Sequence, residues 1–302
     1  MNVRDYKKAA ERRKALEQQQ HIDLSHTGKF TFDETISSTK NCENMIGATQ
    51  VPLGIAGPLS MNGERAKGEF FIPLATTEGA LVASVSRGCK AVNLSEGISV
   101  YTCRAGQTRG PVFLVKSLAE RKKLYSWIKN NEERLKAVAE KTSRYLKFKK
   151  AAAQGVARYL FVRFSFETGD AMGMNMVTIA TQAMAELIEK ETGAELLAVA
   201  GNFDIDKKPA WLNFINNRGF AAWAEIVVKK NIVKKVLKTT SEKIFDVWLS
   251  KCMIGSALSG SLGMEGTTPA ATNSRERESA PVIGPEYTGN TRLFVIYSVR
   301  AL

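Results

Sequence analysis

The sequence predicts an α+β protein in which a compact segment of helices and strands is inserted into a larger domain. Three observations lead to this fold class. Leu160, Val162, Phe164 and Phe166 recur at every second position, as residues on one face of a strand do, and a helical pattern that ends at Gly193 follows them. A short apolar run at 195–200 then predicts a closing strand. From Gly201 we expect the chain to return to the larger domain.

Before this insertion, the elements are predicted in a simple order. Residues 3–20 are rich in charged side chains and glutamine, which predicts an exposed helix. Residues 42–57 are punctuated by glycine and proline and predict a structured loop, and residues 68–74 predict a strand. Thr76 and its neighbour Thr77 can cap the next helix. This would place Glu78 in the first helical turn.

The later elements follow the same reasoning. A long charged helix is predicted over 117–140, and a strand over 221–228 follows the insertion. Two helices come next, one near 240–249 and one over 251–263 with small residues four apart. Lys251 would then stand at the positive N-terminal end of its helix, where a cation needs an anion nearby. A substrate anion and an acidic neighbour within the fold are both open at this point.

Composition narrows the class of protein. With 302 residues and 44% hydrophobic content, the chain can bury a sizeable core. Forty-three basic and 30 acidic residues give a net charge of +13, which suits nucleic acid, a polyphosphate metabolite or solubility alone. Because no nucleic-acid-binding motif accompanies the charge, we expect no nucleic-acid partner.

The cysteines and the hydropathy indicate where the protein works. Cys42, Cys89, Cys103 and Cys252 lack metal-ligand spacing, so we expect no metal site, reduced thiols and a cytoplasmic location. No apolar stretch approaches the roughly 20 residues of a membrane span, so we expect no membrane segment.

The segment Asp206-Lys207-Lys208 carries the clearest chemical signal. It follows the strand at 195–200 after a Gly-Asn turn, and two adjacent cations just beyond a strand end suit a site that binds a carboxylate or stabilises an oxyanion. A solvated lysine pair on a loop is the alternative interpretation.

Three further features have a functional and a structural interpretation. Glu78 either complements the helix dipole or donates a proton. The turn at 169–175 either brings backbone N–H groups to a phosphate or supplies methionines to the core, and it lacks the GxGxxG spacing of a Rossmann fold. Ser143 and Arg144 form either a phosphate clamp or a solvated surface pair.

Together these segments resemble 3-hydroxy-3-methylglutaryl-coenzyme A reductase, and in particular its class I form. The matching segments stand in family order from about residue 10 to Gly263. They are ENMIG (43–47), PLGIAGPL (52–59), ATTEGALVAS (75–84), RGCKA (87–91), TRGP (108–111), TSRY (142–145), GDAMGMNM (169–176), DKKPA (206–210) and KCMIGSA (251–257).

The resemblance implies a four-electron reduction of 3-hydroxy-3-methylglutaryl-coenzyme A to mevalonate and coenzyme A by NADPH, in the mevalonate pathway of isoprenoid biosynthesis. By position, Glu78 would donate a proton and Lys207 would stabilise the oxyanion of the thioester. The hydroxymethylglutaryl group would be surrounded by Arg109, Asp206, Lys208 and Lys251. The coenzyme A part would lie near Glu43, Asn44, Ser84, Arg87 and Lys238.

The resemblance also implies a domain organisation and a cofactor site. A large domain of the reductase type (41–110 and 199–263) would follow an N-terminal helical segment (1–40) and contain a small ferredoxin-like NADP(H)-binding domain at 111–198. The cofactor residues would be Ser143, Arg144, Asp170, Met172, Gly173, Met174 and Asn175. The family's active site forms between subunits, so a homodimer or a higher homo-oligomer is implied.

The resemblance ends after Gly263. The family continues with a Gly-Gln-Asp segment that carries a catalytic Asp and with a late His, and neither occurs in the tail at 264–302. We interpret this tail as a frameshift, a mis-joined gene model or a truncation that leaves the large domain incomplete, with real divergence as the alternative. Residues 292–300 could be a lone strand without an evident partner. A non-catalytic homologue that retains cofactor or coenzyme A binding, or only dimerises, is therefore the alternative function.

Overall fold

The computed structural model describes residues 5–208, 210–260, 286–287 and 291–299, and its mixed helices and strands confirm the α+β class. The chain divides into two compact units. The first unit comprises Met1–Gly54 and Ala75–Glu78, and the second comprises Ile55–Leu74 and Gly79–Leu302. In the described residues, no helix is both long and apolar enough to cross a membrane.

The first unit contains helices α1 (Ala9–Gln20) and α2 (Glu34–Lys40). α1 is shorter than the predicted 3–20 helix and is not exposed on all sides, because Ala9 and Arg12 are buried. The guanidinium of Arg12 donates a hydrogen bond to the carbonyl of Met45 at 3.1 Å, so a charged residue of the predicted solvent face anchors the following loop.

Strands β1 (Leu53–Gly63) and β2 (Lys67–Ala75), which belong to the second unit from Ile55 to Leu74, are followed by helix α3 (Leu81–Asn93) and strand β3 (Ile98–Arg109). The predicted strand at 68–74 is confirmed as β2. The loop predicted for 42–57 is wrong at its end, because the chain is already extended from Leu53 onward. Proline and glycine in this run indicated a turn, yet the strand β1 pairs with both β2 and β3.

Helix α3 starts later than predicted. Its N-cap is Ala80, whose φ of 64° lies in the left-handed region, and the first helical residue is Leu81. Thr76 does not cap the helix. Its hydroxyl oxygen instead accepts a hydrogen bond from the backbone N–H of Glu78 at 2.9 Å. Glu78 therefore lies outside the first helical turn, and the dipole argument for it was wrong.

The segment predicted as an insertion holds strand β4 (Val112–Leu114), helices α4 (Leu118–Asn130) and α5 (Glu132–Lys141), strands β5 (Lys147–Val156) and β6 (Tyr159–Glu167), helix α6 (Met174–Thr192) and strand β7 (Glu195–Ala198). The single helix predicted over 117–140 is wrong, because Asn131 separates two helices. The β6, α6 and β7 predictions are confirmed. One continuous cluster of buried side chains, from Phe113 to Ala194, fills this segment.

The chain continues through helix α7 (Trp211–Asn216), strand β8 (Gly219–Val228), helix α8 (Lys230–Ile232) and a π-helical turn (Val233–Leu237). Helix α9 (Ser241–Val247), a π-helical segment (Trp248–Gly255) and helix α10 (Ser256–Ser259) then follow without a break. The two helices predicted here are therefore one. Lys251 lies in its middle rather than at a positive end, and Gly263 lies outside the described residues.

Seven of the described strands form one hydrogen-bonded path in the order β7-β4-β6-β3-β8-β10-β9, and β1, β2 and β5 pair alongside it. Strand β3 is the bridge, because its residues 99–106 pair with β8 and its residues 107–109 pair with β6. The pairing shifts register at Gly106, which has a φ of 94°. A Cβ atom there would lie 2.5 Å from the carbonyl oxygen of Phe166, so only glycine permits the change of partner.

The strand predicted at 292–300 is present as β10 (Thr291–Val299), but it is not alone. It pairs antiparallel with β8, from Thr291 opposite Val228 to Val299 opposite Phe220, and strand β9 (Glu286–Tyr287) pairs with its start. The expectation that it lacks a partner was wrong. β8 pairs with β3 along one edge only, and its other edge accepts β10 through main-chain hydrogen bonds.

Candidate functional site

The Asp-Lys-Lys segment lies on a turn between β7 and α7, which we call the 204–208 turn. Asp204 is buried at its start, whereas Lys207 and Lys208 are exposed at its end. Lys207 has a φ of 60°, in the left-handed region that side chains other than glycine seldom adopt. The Lys208 ammonium donates a hydrogen bond to the side-chain oxygen of Asn202.

One partly buried ion pair holds the start of this turn. Arg109, the last residue of β3, places its guanidinium 3.1 Å from the carboxylate of Asp204, with their side chains 15% and 2% exposed. The same guanidinium donates to the hydroxyl of Thr178 on α6 at 2.7 and 2.9 Å. Arg109 therefore ties three elements together, and its charge is already opposed by a carboxylate.

A second ion pair holds the middle of the turn. The guanidinium of Arg218 donates to the carboxylate of Asp206 at 2.8 Å and to the hydroxyl of Thr108 at 2.9 Å. That hydroxyl in turn donates to the carbonyl of Asp204 at 2.8 Å. Arg109 of β3 contacts Asp204 directly, and its neighbour Thr108 contacts Asp206 through Arg218. The turn is therefore fastened to the end of that strand at two points.

Close backbone contact also brings the turn to β3. The N–H of Gly201 donates to the carbonyl of Gly110 at 2.6 Å. A Cβ atom at Gly110 would lie 2.7 Å from the backbone nitrogen of Asp204, a distance that side chains do not tolerate. The glycine of the TRGP motif is therefore required by the proximity of the two segments.

The charge balance of the turn determines its chemistry. The two carboxylates each face an arginine, so the outward charge comes from Lys207 and Lys208. Among the described residues, no ion pair or hydrogen bond engages the Lys207 side chain. An exposed ammonium on a rigidly held turn is suited to stabilise a carboxylate or a developing oxyanion.

Three of the predicted site residues lie in the first unit. Glu78, Glu43 and Asn44 are all exposed. Asn44 has a φ of 52°, which is a conformation that Asn tolerates better than most residues. Their predicted contact with substrate stays a prediction.

The remaining predicted substrate residues lie on helices of the second unit. Ser84 and Arg87 lie on α3, and Arg87 is exposed. Lys238 ends the π-helical turn with a φ of 58°. The buried faces of α3 and this turn pack together through one apolar cluster, so both elements belong to one packed layer. Lys251 is exposed on the long helix.

The predicted cofactor turn leads into α6. Asp170 and Asn175 are exposed, Met172 is half-buried and Met174 is buried as the first residue of the helix. Gly173 is the N-cap, with a φ of 75°, and has no side chain with which to cap the first N–H groups. The start of a 19-residue helix with such a cap is chemically suited to a phosphate, so these residues fit a dinucleotide.

The second predicted part of the cofactor site lies between α5 and β5. The hydroxyl of Ser143 accepts a hydrogen bond from the N–H of Tyr145 at 3.2 Å. The exposed guanidinium of Arg144 lies 4.7 Å from the centre of the Tyr145 ring. This position leaves a cation at the surface, where a phosphate can reach it.

Sequence reasoning missed the residues that anchor the 204–208 turn. These are Asp204, Thr108, Thr178, Arg218 and Asn213, whose amide donates to the carbonyls of Ile205 at 3.0 Å and Lys208 at 3.3 Å. The sequence feature that could have indicated this anchoring is a second carboxylate, Asp204, two residues before Asp206. The described residues contain no group of three His, Cys, Asp or Glu that could hold a metal ion.

Comparison with known proteins shows which family the chain is similar to. The family model described as hydroxymethylglutaryl-coenzyme A reductase matches residues 8–271. The chain is 49% identical over 258 residues to the 3-hydroxy-3-methylglutaryl-coenzyme A reductase of Methanocaldococcus jannaschii, covering 83% of this chain and 64% of that protein. It is 47% identical to the reductase of Pyrococcus abyssi, covering 83% and 62%.

A solved structure shows the same fold. The class II 3-hydroxy-3-methylglutaryl-CoA reductase from Streptococcus pneumoniae, bound to NADPH, has a TM-score of 0.64 and 16% sequence identity. The match covers 98% of this chain and 85% of that one. The chain thus spans somewhat less than two thirds of the length of the archaeal relatives.

Proposed function

The chain belongs to the hydroxymethylglutaryl-coenzyme A reductase family, and we propose that it takes part in the reduction of 3-hydroxy-3-methylglutaryl-coenzyme A to mevalonate and coenzyme A. The observation that carries the proposal is the 204–208 turn. Two partly buried arginine–aspartate pairs hold it, and it presents Lys207 outward. The homodimer or higher homo-oligomer, the class I assignment, the domain boundaries and the cytoplasmic location belong to the same proposal.

In this mechanism Lys207 stabilises negative charge. When the thioester carbonyl is reduced, its oxygen gains negative charge, and an ammonium held beside it lowers the free energy of that state. Lys208 and Lys251 bind the carboxylate of the hydroxymethylglutaryl group, and Arg109 and Asp206 shape the same pocket. Glu78 donates the proton that the reduced oxygen needs.

The cofactor is proposed to be NADPH, and two molecules of it would supply the two hydrides that the four-electron reduction needs, with coenzyme A leaving as its thiolate. Arg144 and Ser143 would hold the 2′-phosphate, and the N–H groups at the start of α6 would hold a backbone phosphate of the dinucleotide. Asp170 and Asn175 would orient its ribose, with Met172, Gly173 and Met174 shaping the turn. The small-domain boundaries at 111–198 are supported by the separate apolar cluster that residues 113–194 form.

The coenzyme A part of the substrate carries several phosphates. Arg87 and Lys238 provide cations on two elements that pack together, and Ser84, Glu43 and Asn44 provide hydrogen-bonding groups. Binding by exposed cations should weaken as salt is added, since the Debye length falls to about 3 Å at 1 M ionic strength.

The test is oxidation of NADPH, followed by its absorbance, on addition of 3-hydroxy-3-methylglutaryl-coenzyme A. Lys207→Ala should lower the rate by about 10²–10³-fold, the usual cost of removing an oxyanion-stabilising group. Lys234→Ala changes an exposed lysine on the π-helical turn and is the matched control, which should keep its rate. Turnover that Lys207→Ala leaves unchanged would refute the mechanism.

A second function is suggested by residues 264–302, which contain neither the Gly-Gln-Asp segment nor the late His that the resemblance implies. In this alternative the chain binds NADPH or coenzyme A without turnover, or only forms the dimer. Calorimetry separates the two proposals: wild-type protein that binds NADPH but oxidises none with substrate present supports the alternative and contradicts the catalytic proposal.

A further inference from the structure

We infer that Arg218 is a positioning residue that holds the 204–208 turn in its site-forming conformation and links it to the start of α6. That this turn binds the acyl group of 3-hydroxy-3-methylglutaryl-coenzyme A rests on the proposed function. Arg218 lies between α7 and β8, and its side chain is 2% exposed.

A buried guanidinium needs several acceptors. That of Arg218 contacts the carboxylate of Asp206 at 2.8 Å, the hydroxyl of Thr108 at 2.9 Å and the sulfur of Met174 at 3.1 Å. These groups belong to the turn, to β3 and to α6. Because burying a cation is costly unless it is paired, the fold places Arg218 there only with its partners in position.

The planar fork of arginine is suited to this arrangement. One nitrogen, Nε, donates to Thr108, while Nη2 donates to Asp206 and to the weak sulfur acceptor of Met174. A lysine could place a charge near Asp206, but a single ammonium cannot donate along the same directions. Arg218→Lys should therefore hold the conformation of the 204–208 turn better than Arg218→Met does, but less well than wild type.

The conformation of Lys207 shows why the turn needs such an anchor. Its left-handed backbone is unfavourable for a residue with a Cβ atom, so neighbouring contacts must maintain it. Asp206 is held by Arg218 on one side, and the Lys208 carbonyl accepts from the Asn213 amide on the other. Lys207 is the residue between these two anchors.

The contact with Met174 extends the role of Arg218. Met174 is the first residue of α6 and belongs to the turn proposed for the cofactor, while Asp206 belongs to the turn proposed for the substrate. One side chain thus contacts both segments. Arg109 parallels it, joining Asp204 to Thr178 one turn further along α6.

The first experiment measures the conformation of the turn without any ligand. Hydrogen exchange of full-length Arg218→Met should be faster at the amides of residues 204–208, by roughly tenfold to a hundredfold, as expected for the loss of a charge-assisted hydrogen bond. Exchange in β6 should not change. Asp206→Ala removes the same contact from its more exposed partner and should give the same result if Arg218→Met does not fold. Unchanged exchange at 204–208 in either folded variant would overturn the inference.

The second experiment measures the consequence for binding by calorimetry. Arg218→Met should bind 3-hydroxy-3-methylglutaryl-coenzyme A about tenfold more weakly and free coenzyme A as wild type does, since only the acyl group would meet the turn. The affinity of Arg218→Lys for 3-hydroxy-3-methylglutaryl-coenzyme A should lie between those of wild type and Arg218→Met. Arg134→Met, which removes an exposed arginine of α5, is the matched control and should change neither affinity.

The outcomes separate the inference from the proposed function. If Arg218→Met binds both ligands more weakly, and by the same factor, the substitution causes a general structural defect, and this result would overturn the positioning role. Wild-type protein that binds the acyl form no better than coenzyme A contradicts the proposed function, and the exchange experiment then still decides whether Arg218 holds the turn.

Discussion

Two regions of the second unit bury their apolar side chains to very different extents. Residues 113–194 form a continuous core in which helices α4, α5 and α6 cover β4 to β6, and Phe164 and Leu135 are fully buried. The long helix at 241–259 buries only Ser241 and Cys252 among its described residues. Its apolar residues Ile254 and Leu258 are 52% and 84% exposed.

This difference shows which part of the site is structurally defined. The 204–208 turn is fastened to α6 and to the end of β3, so it shares the rigidity of the well-packed region. Lys251 lies on the helix with few buried contacts. We therefore expect the 204–208 turn, the part of the proposed site that carries Lys207, to be better ordered than the part proposed for Lys251.

The largest expected effect tests the contrast in packing. Phe164→Ala should lower the free energy of unfolding by about 3–5 kcal/mol, because it leaves a cavity in a closed core. Leu258→Ala, at an exposed position, should change it by less than about 0.5 kcal/mol. Urea unfolding followed by circular dichroism measures both. Similar losses for the two variants would show that the long helix is packed as tightly as the core.

Thiol labelling provides a more local comparison. Cys42 is exposed, while Cys252 on the long helix and Cys89 on α3 are both buried. Burial raises the pKa of the Cys89 thiol, which reduces its reactive thiolate. In variants that keep one cysteine each, Cys42 should be labelled fastest and Cys252 more slowly, through local opening of the helix. Cys89 should be labelled most slowly, at a rate roughly tenfold below that of Cys252. Equal protection of Cys252 and Cys89 would contradict the low stability of the long helix.

The smallest effect concerns the surface of the well-packed region. A hydrogen bond from Arg134, at 2.6 Å, lowers the pKa of Glu191 at the end of α6. This carboxylate therefore stabilises the fold above its unfolded pKa of about 4.3, and the contribution disappears as the pH falls through the lowered value.

Urea midpoints of wild type and Glu191→Gln should consequently differ slightly at pH 7 and converge in acid. The difference should be small because the pair is exposed to solvent. A difference that persists at pH 2 would mean that the glutamine substitution acts through packing rather than through charge.

Much of the fold was predictable wherever the pattern is local. The alternation of 160–166 indicated β6, and the apolar periodicity before Gly193 indicated α6. The predictions failed where a neighbouring segment decided the outcome. Strand β1 begins at Leu53, although the segment is rich in glycine and proline, because β2 and β3 pair with it. The strand that begins at residue 291 pairs with the edge of β8 that β3 leaves free.

By itself the sequence determined the family, the α+β class and the presence of two cations beside Asp206, since ordered motifs and short-range periodicity need no knowledge of distant contacts. Only the tertiary structure decided what those cations can do. The partner of Asp206 is Arg218, and the partner of Arg218 is Thr108, which lies 110 residues earlier in the chain. Such pairings depend on where β3 and β8 meet, and no local pattern encodes them. Arg109 and Arg218 oppose both carboxylates of the turn, and so leave Lys207 as an exposed cation.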